Sequence, residues 1–183
     1  MSVDVDVSRE LAVPGEPGRR PRVDFDDFYR AELPGLLTLA RALAGTTAAD
    51  DVAQEAMLAT YRRWEEVRQL QDPARWARRT CANLAVSSFR RRMVELRGLT
   101  RLAGRREVPV VDEASEEFWA AVRTLPRRQA QCAALRYVYA MPGVDIAGTL
   151  GIGEGSVKVH LARARRALAA ELGLGTTGEK EES

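Results

Sequence analysis

A chain of 183 residues, 45% hydrophobic and 30% charged, can build one medium domain or two small ones joined by a linker. Its net charge of +2 does not by itself suggest a nucleic-acid ligand, but the charge is unevenly spread. Eight arginines between Arg68 and Arg97 are set against Asp72 and Glu95 alone, while acid gathers at Asp24, Asp26 and Asp27 and again at Glu113, Glu116 and Glu117. Cys81 and Cys132 have no CxxC or Cys/His neighbourhood, so no zinc site or redox pair is readable and both are expected to be reduced and buried. The start, MSVDVDVSRE, lacks a signal-peptide pattern and no apolar run is long enough to span a bilayer, so a soluble, cytoplasmic protein without membrane insertion is expected.

Residues 1–23 combine Pro14, Gly15, Pro17, Gly18 and Pro21 with charges and predict a disordered N-terminal arm; residues 173–183 predict a disordered tail. Between them the pattern is helical, with no period-two run for a strand. The first helix is expected from Asp24 to Ala44, kinked or split at Pro34, with Phe25, Phe28, Leu36, Leu39 and Leu43 on its packed side. Gly45 ends it, and Thr47 with Asp50 predicts a capping-box variant opening a second helix that continues to Val67. Asp72 before Pro73 is a strong start signal, because the carboxylate can accept from orphan amides and proline wastes none, and it predicts a third long helix over 73–92.

On that third helix Arg79, Asn83, Val86, Ser87 and Arg90 fall on one polar, basic stripe, while Trp76, Thr80, Leu84 and Ser88 share a neighbouring stripe able to pack inward. Periodicity then fails through Gly98, Gly104 and Pro109, which predicts a linker over 96–113. Four shorter helices follow, starting at Ser115, after Leu125-Pro126, at Val144 and at Glu154.

The last two helices read as a helix-turn-helix, whose second member enters the DNA major groove. Ile146, Ala147 and Leu150 supply the inner face of the first, Ile152 plugs the corner, and Val157, Leu161, Ala164 and Leu168 step along the second. Ser156, Lys158, Val159, His160 and Arg163 are thereby left to face a groove, with Arg165 and Arg166 suited to backbone or partner contacts. His160, the single histidine, has no partner cluster for a metal or catalytic role, and Trp64 and Trp76 are expected in core or interface rather than as stacking platforms.

The upstream text is more discriminating. Asp50-Asp51-Val52-Ala53-Gln54-Glu55-Ala56, followed by Tyr61-Arg62-Arg63-Trp64, resembles the acidic helix with which sigma factors grip RNA polymerase. Asp72-Pro73-Ala74-Arg75-Trp76-Ala77-Arg78-Arg79, running into Asn83 to Arg92, resembles their minus-ten segment. Leu125-Pro126-Arg127-Arg128-Gln129, Leu135-Arg136-Tyr137, Asp145-Ile146-Ala147 and Leu150 to Lys158 resemble their minus-thirty-five domain. Over roughly Asp24 to Leu172 the chain is thus similar to extracytoplasmic-function sigma factors of the sigma-70 family.

The resemblance implies an all-α fold of two small helical domains, region 2 over 24–95 and a region 4 helix-turn-helix over 114–172. It implies core polymerase binding by Asp50, Asp51, Gln54, Glu55 and Trp64, and minus-ten contacts by Arg79, Asn83, Ser87, Arg90, Arg91 and Arg92. The turn from Gln69 to Pro73 would supply the pocket for an extruded base, and Ser156, Lys158, Val159, His160 and Arg163 the minus-thirty-five contacts.

Implied partners are the clamp helices of the polymerase largest subunit, the flap region of the second-largest, promoter DNA and an anti-sigma factor. Neither cofactor, metal nor catalysis is implied. Ser87, Pro142, Gly143, Gly153 and His160 depart from common family residues, so a relative's promoter sequence does not carry over. The competing reading, a stand-alone helix-turn-helix regulator, accounts for the last 70 residues or so and leaves the pattern over 50–92 unexplained. An enzyme is disfavoured by the lack of a phosphate loop, metal cluster or nucleophile elbow.

Overall fold

A computed structural model describes residues 24–99 and 113–173, and all the regular structure within them is helical. The expected arm over 1–23, most of the expected linker and the tail from residue 174 lie outside the described residues. The helices are α1 (Phe25–Ala44), α2 (Thr46–Arg62), α3 (Trp64–Val67), α4 (Pro73–Leu99), α5 (Glu113–Thr124), α6 (Arg127–Tyr139), α7 (Gly143–Leu150) and α8 (Glu154–Glu171).

Helix α1 starts where Asp24 accepts a hydrogen bond from the Phe25 amide at 2.8 Å, with Asp26 and Asp27 in its first turn and Arg41 in its last, the signs a helix dipole favours. It is one continuous helix, not split at Pro34. Pro34 and Arg30 are both exposed, so the carbonyl that loses its amide partner is left on the solvent side, while Phe28 and Leu36 anchor the helix from within on either side of the proline.

The expected Thr47 cap is not made either. Gly45, at a φ of 82°, closes α1 and leads straight into Thr46, so α2 begins before Thr47 and without a side-chain cap. The expected single helix to Val67 is interrupted at Arg63, whose φ of −117° and ψ of 21° leave helical geometry and re-aim the chain into α3.

The first unit packs α1, α2 and α4 around Leu36, Leu39, Leu43, Val52, Met57, Trp76 and Val86. Alanines 49, 53 and 56 on α2 and 77, 82 and 85 on α4 are fully buried and let the helix axes approach closely. Each buried leucine contributes about 2 kcal/mol of transfer free energy. At one end Phe25, Phe28 and Trp64 form an aromatic cluster with centroid separations of 4.9–6.3 Å. Glu32 of α1 accepts two hydrogen bonds from Nη2 of Arg78 on α4, at 3.0 and 3.2 Å, tying those helices across a half-buried seam.

In the second unit α6 is central. Ala130 to Leu135 are buried without a break, because α6 is covered by α5, α7 and α8 on some faces and by α1 and α4 of the first unit on others. The Asp72-Pro73 signal is confirmed, Asp72 Oδ1 accepting from the Arg75 amide at 3.0 Å. Helix α4 runs past the expected end at Arg92, through the start of the expected linker, to Leu99.

Candidate polymerase and nucleic-acid interfaces

Helix α2 buries Ala48, Ala49, Val52, Ala53, Ala56, Met57 and Thr60, and this spacing leaves Asp50, Asp51, Gln54 and Glu55 exposed together. Leu58 and Tyr61 are exposed beside them, Tyr61 at 59%. Trp64 does not share that face: it is 8% exposed, its indole packed on Phe25 and Phe28, because the break at Arg63 turns it into the core. The exposed aromatic in the region is therefore Tyr61, whose ring meets Phe25 at 4.9 Å; its position in the Tyr61-Arg62-Arg63-Trp64 run was the signal available for it.

On α4, Arg79, Asn83 and Ser87 are half-buried, Arg90 and Arg91 are exposed and Arg92 is half-buried. Val86, expected in this stripe, is 5% exposed and belongs to the core. Trp76, at 2%, and Thr80 pack inward as their spacing requires, and no stacking platform is offered by Trp76 or Trp64.

What sequence reasoning missed is that the second unit lies on this stripe. Asn83 Oδ1 accepts from Arg127 Nη2 at 2.7 Å and from Gln131 Nε2 at 2.9 Å. The Arg79 guanidinium lies against the turn at Gly151, 3.3 Å from where a Cβ would stand. Arg75 faces Gly148 and approaches Asp145 at 4.0 Å. Along the seam lies a half-open pocket of about 310 Å³, lined by Asp72, Arg75 and Arg78 on one side and Tyr139, Asp145 and Thr149 on the other.

Within this seam Arg78 stacks over the Tyr139 ring at 4.8 Å, and burial pushes the Tyr139 hydroxyl above the usual tyrosine range. Burial, then the neighbouring Arg128 and Arg90, lowers the pKa of Arg127.

The helix-turn-helix forms as its spacing predicts. Gly151, at φ 63° and ψ 43°, adopts the left-handed turn a side chain resists, and Ile152 donates its amide to the Ala147 carbonyl at 3.1 Å. Ile146, Ala147, Leu150, Val157, Ala164 and Leu168 are buried, with Ile152 and Leu161 packed against them. Ser156, Lys158, Val159 and Arg163 are exposed along α8; Lys158 pairs with Glu154 at 3.6 Å and His160 is half-buried.

Cys81 and Cys132 are buried free thiols, and burial pushes Cys81 up to about 12 and Cys132 to about 11. Among the described residues no cluster of His, Cys, Asp or Glu could hold a metal ion, and no helix is long and apolar enough to cross a membrane.

A helical bundle with an exposed acidic helix and an arginine-rich one, followed by a helix-turn-helix, defines a two-part DNA-binding protein. Residues 28–94 match the Sigma-70 region 2 family model and residues 115–168 that of Sigma-70 region 4. The chain is 34% identical over 164 residues to the ECF RNA polymerase sigma factor SigM of Mycobacterium tuberculosis, covering 86% of this chain and 81% of that protein. It is 29% identical over 157 residues to the RNA polymerase sigma-E factor of Streptomyces coelicolor, covering 82% and 86%.

In fold it is similar to the sigma factor RpoE of Bartonella quintana, solved in complex with the anti-sigma factor NepR, with a TM-score of 0.66 at 20% identity over 83% of this chain and 98% of that one. It is also similar to CnrH, solved with the cytosolic domain of CnrY, with a TM-score of 0.59 at 20% identity over 83% and 89%.

The chain belongs to the extracytoplasmic-function sigma factors of the sigma-70 family. It is an alternative sigma factor, the subunit that joins core RNA polymerase to promoter DNA and directs initiation, and nothing in the comparisons supports a stand-alone regulator.

Proposed function

We propose that the two units divide promoter recognition between them, and that the chain works in the cytoplasm without catalysing a reaction. The unit over 24–95 docks on the clamp helices of the polymerase largest subunit through Asp50, Asp51, Gln54 and Glu55, with Tyr61 rather than Trp64 as the accompanying aromatic. Its α4 then holds the melted minus-ten strand: Arg79 and Arg90 to Arg92 offer charge to phosphates, and Asn83 and Ser87 offer hydrogen bonds to bases.

The unit over 114–172 reads the minus-thirty-five duplex with Ser156, Lys158, Val159, His160 and Arg163, next to the polymerase flap. Protein partners beyond the polymerase include an anti-sigma factor, the kind of partner present in the RpoE structure.

The observation that carries this reading is the sorting of α2, whose acidic and amide side chains all face solvent while its alanines and Val52 face the core, so the face needs no refolding to dock. The test is reconstitution with core polymerase and a library of promoter fragments. Directed transcripts are expected from the wild type. Reversing charge at Asp51 and Glu55 is expected to weaken core binding by about 2 kcal/mol, some thirtyfold. Wild-type core affinity in that variant would reject the assignment.

A further inference from the structure

We propose that Val159, at the middle of the α8 reading face, recognises the 5-methyl group of a thymine in the minus-thirty-five duplex and so sets a base preference of its own at that position. The inference deepens the assignment of α8 given above and rests on it.

The placement follows from the helix period. Val157, Ala164 and Leu168 are buried and Leu161 packs against them, which fixes the inner face of α8. At about 100° per residue, Val159 falls about half a turn from the centre of that inner face. A duplex laid along the outer face of α8 therefore meets Val159 at its midline.

Its neighbours on that midline are small. Gly155, one turn earlier, is exposed, and a Cβ added to it would meet nothing within 4 Å; Ala162, one turn later, is exposed too. Helical side chains lean toward the N-terminus, so the Val159 methyls stand beside the open space at Gly155. Ser156 and Arg163 flank this strip on one side and Lys158 on the other, all exposed. The centre of the face is thus low and apolar, and its edges are polar or charged.

Two observations set Val159 apart from a valine that happens to lie on a surface. It is 46% exposed and is the one large apolar side chain exposed on α8 among the described residues, so the free protein gains little from it. A β-branched side chain also loses rotamer freedom in a helix and favours helix less than alanine does. The contact that compensates lies outside the chain.

Chemistry narrows that contact to one group. The edges of A, G and C in the major groove present hydrogen-bonding atoms, for which valine has neither donor nor acceptor, whereas thymine presents its C5-methyl. Seated beside Gly155, that methyl leaves water against the Val159 side chain while Lys158 and Arg163 remain free for phosphates. The methyl is expected to strengthen binding about fourfold, the equivalent of about one buried carbon.

The experiment uses holoenzyme reconstituted from the full chain and core polymerase, which selects its upstream element from duplexes randomised over the minus-thirty-five region. Each thymine of the selected duplex is then replaced singly by deoxyuridine, which lacks only the 5-methyl group, and binding is compared at fixed salt. One such replacement is expected to weaken wild-type binding about fourfold and to leave Val159→Ala binding unchanged. Val159→Ala is also expected to relax the selection at that base pair and to keep it elsewhere.

A wild type indifferent to every deoxyuridine, or a Val159→Ala variant as sensitive as the wild type, would overturn the proposal. Arg163→Ala separates that failure from failure of the α8 assignment. Unchanged selection and affinity in Arg163→Ala reject α8 as the reading helix; a changed selection without a methyl effect keeps α8 in that role and rejects Val159 alone.

Discussion

Helices α4 and α8 carry the two DNA-facing surfaces assigned to this sigma factor, yet they are presented differently. The candidate face of α8 is open: Ser156, Lys158 and Arg163 are exposed and Val159 is 46% exposed. The equivalent face of α4 is covered, with Arg79 against Gly151 and Asn83 bonded to Arg127 and Gln131. A face that reads intact duplex can stand exposed and gain only salt-dependent, sequence-independent binding.

The largest expected effect tests the α4 side of this contrast. Replacing Arg79 and Asn83 by alanine in the holoenzyme is expected to slow strand opening about a hundredfold, two contacts at about 1.4 kcal/mol each. Permanganate reactivity of promoter thymines reads the opening, and core affinity should not change. A loss of core affinity instead would show that the face serves the polymerase.

Next in size is Glu32→Ala. It leaves the half-buried Arg78 without its carboxylate and is expected to cost about 2 kcal/mol in urea unfolding. Because Arg78 also stacks on Tyr139, the same variant is expected to weaken the contact between the units while leaving duplex binding by α8 unchanged.

On the α8 side, Lys158→Ala with Arg163→Ala is expected to weaken upstream duplex binding about tenfold and to lower the salt slope by about 2. Unchanged duplex binding in that variant would reject the groove-facing assignment of α8.

The smallest effect at neutral pH comes from the thiols. Cys81 and Cys132 ionise only toward about 12 and 11, against 9.0 for an ordinary thiol, so the unfolded chain loses its thiol protons first. Their contribution to stability is fully present below about pH 9 and is lost as pH rises through 11 to 12. At pH 8 alkylation of either should track global unfolding; rapid alkylation of Cys81 in the folded protein would contradict its burial beside the Leu36 carbonyl.

Much of this was legible in the chain. The helix-turn-helix core, from Ile146 to Leu168, and the Asp72-Pro73 start follow from local rules in which each residue's partner lies within a few positions. The exposed acidic face of α2 is readable for the same reason, from alternation with alanine.

The covering of α4 was not. Asn83 and Gln131 are 48 residues apart and each is polar, so each on its own predicts a solvated helix position. Pro34 and Trp64 each left two readings open in the sequence, a kink or a split for the one and core or interface for the other. The proline survives within α1 because its lost hydrogen bond faces water, and the tryptophan's direction is set by the backbone turn at Arg63, which no residue type announces.

Gly35 gives the contact between α1 and Tyr139 a property that can be graded. Because the hydrogen replacing its side chain sets the distance to Tyr139, the series alanine, valine, leucine at this position is a ladder of increasing bulk at one point of the contact between the units. Each rung should push α1 and α6 further apart, read as a stepwise fall in the urea unfolding midpoint. The residue thus serves as a graded spacer between the two units, separate from every residue assigned to promoter reading.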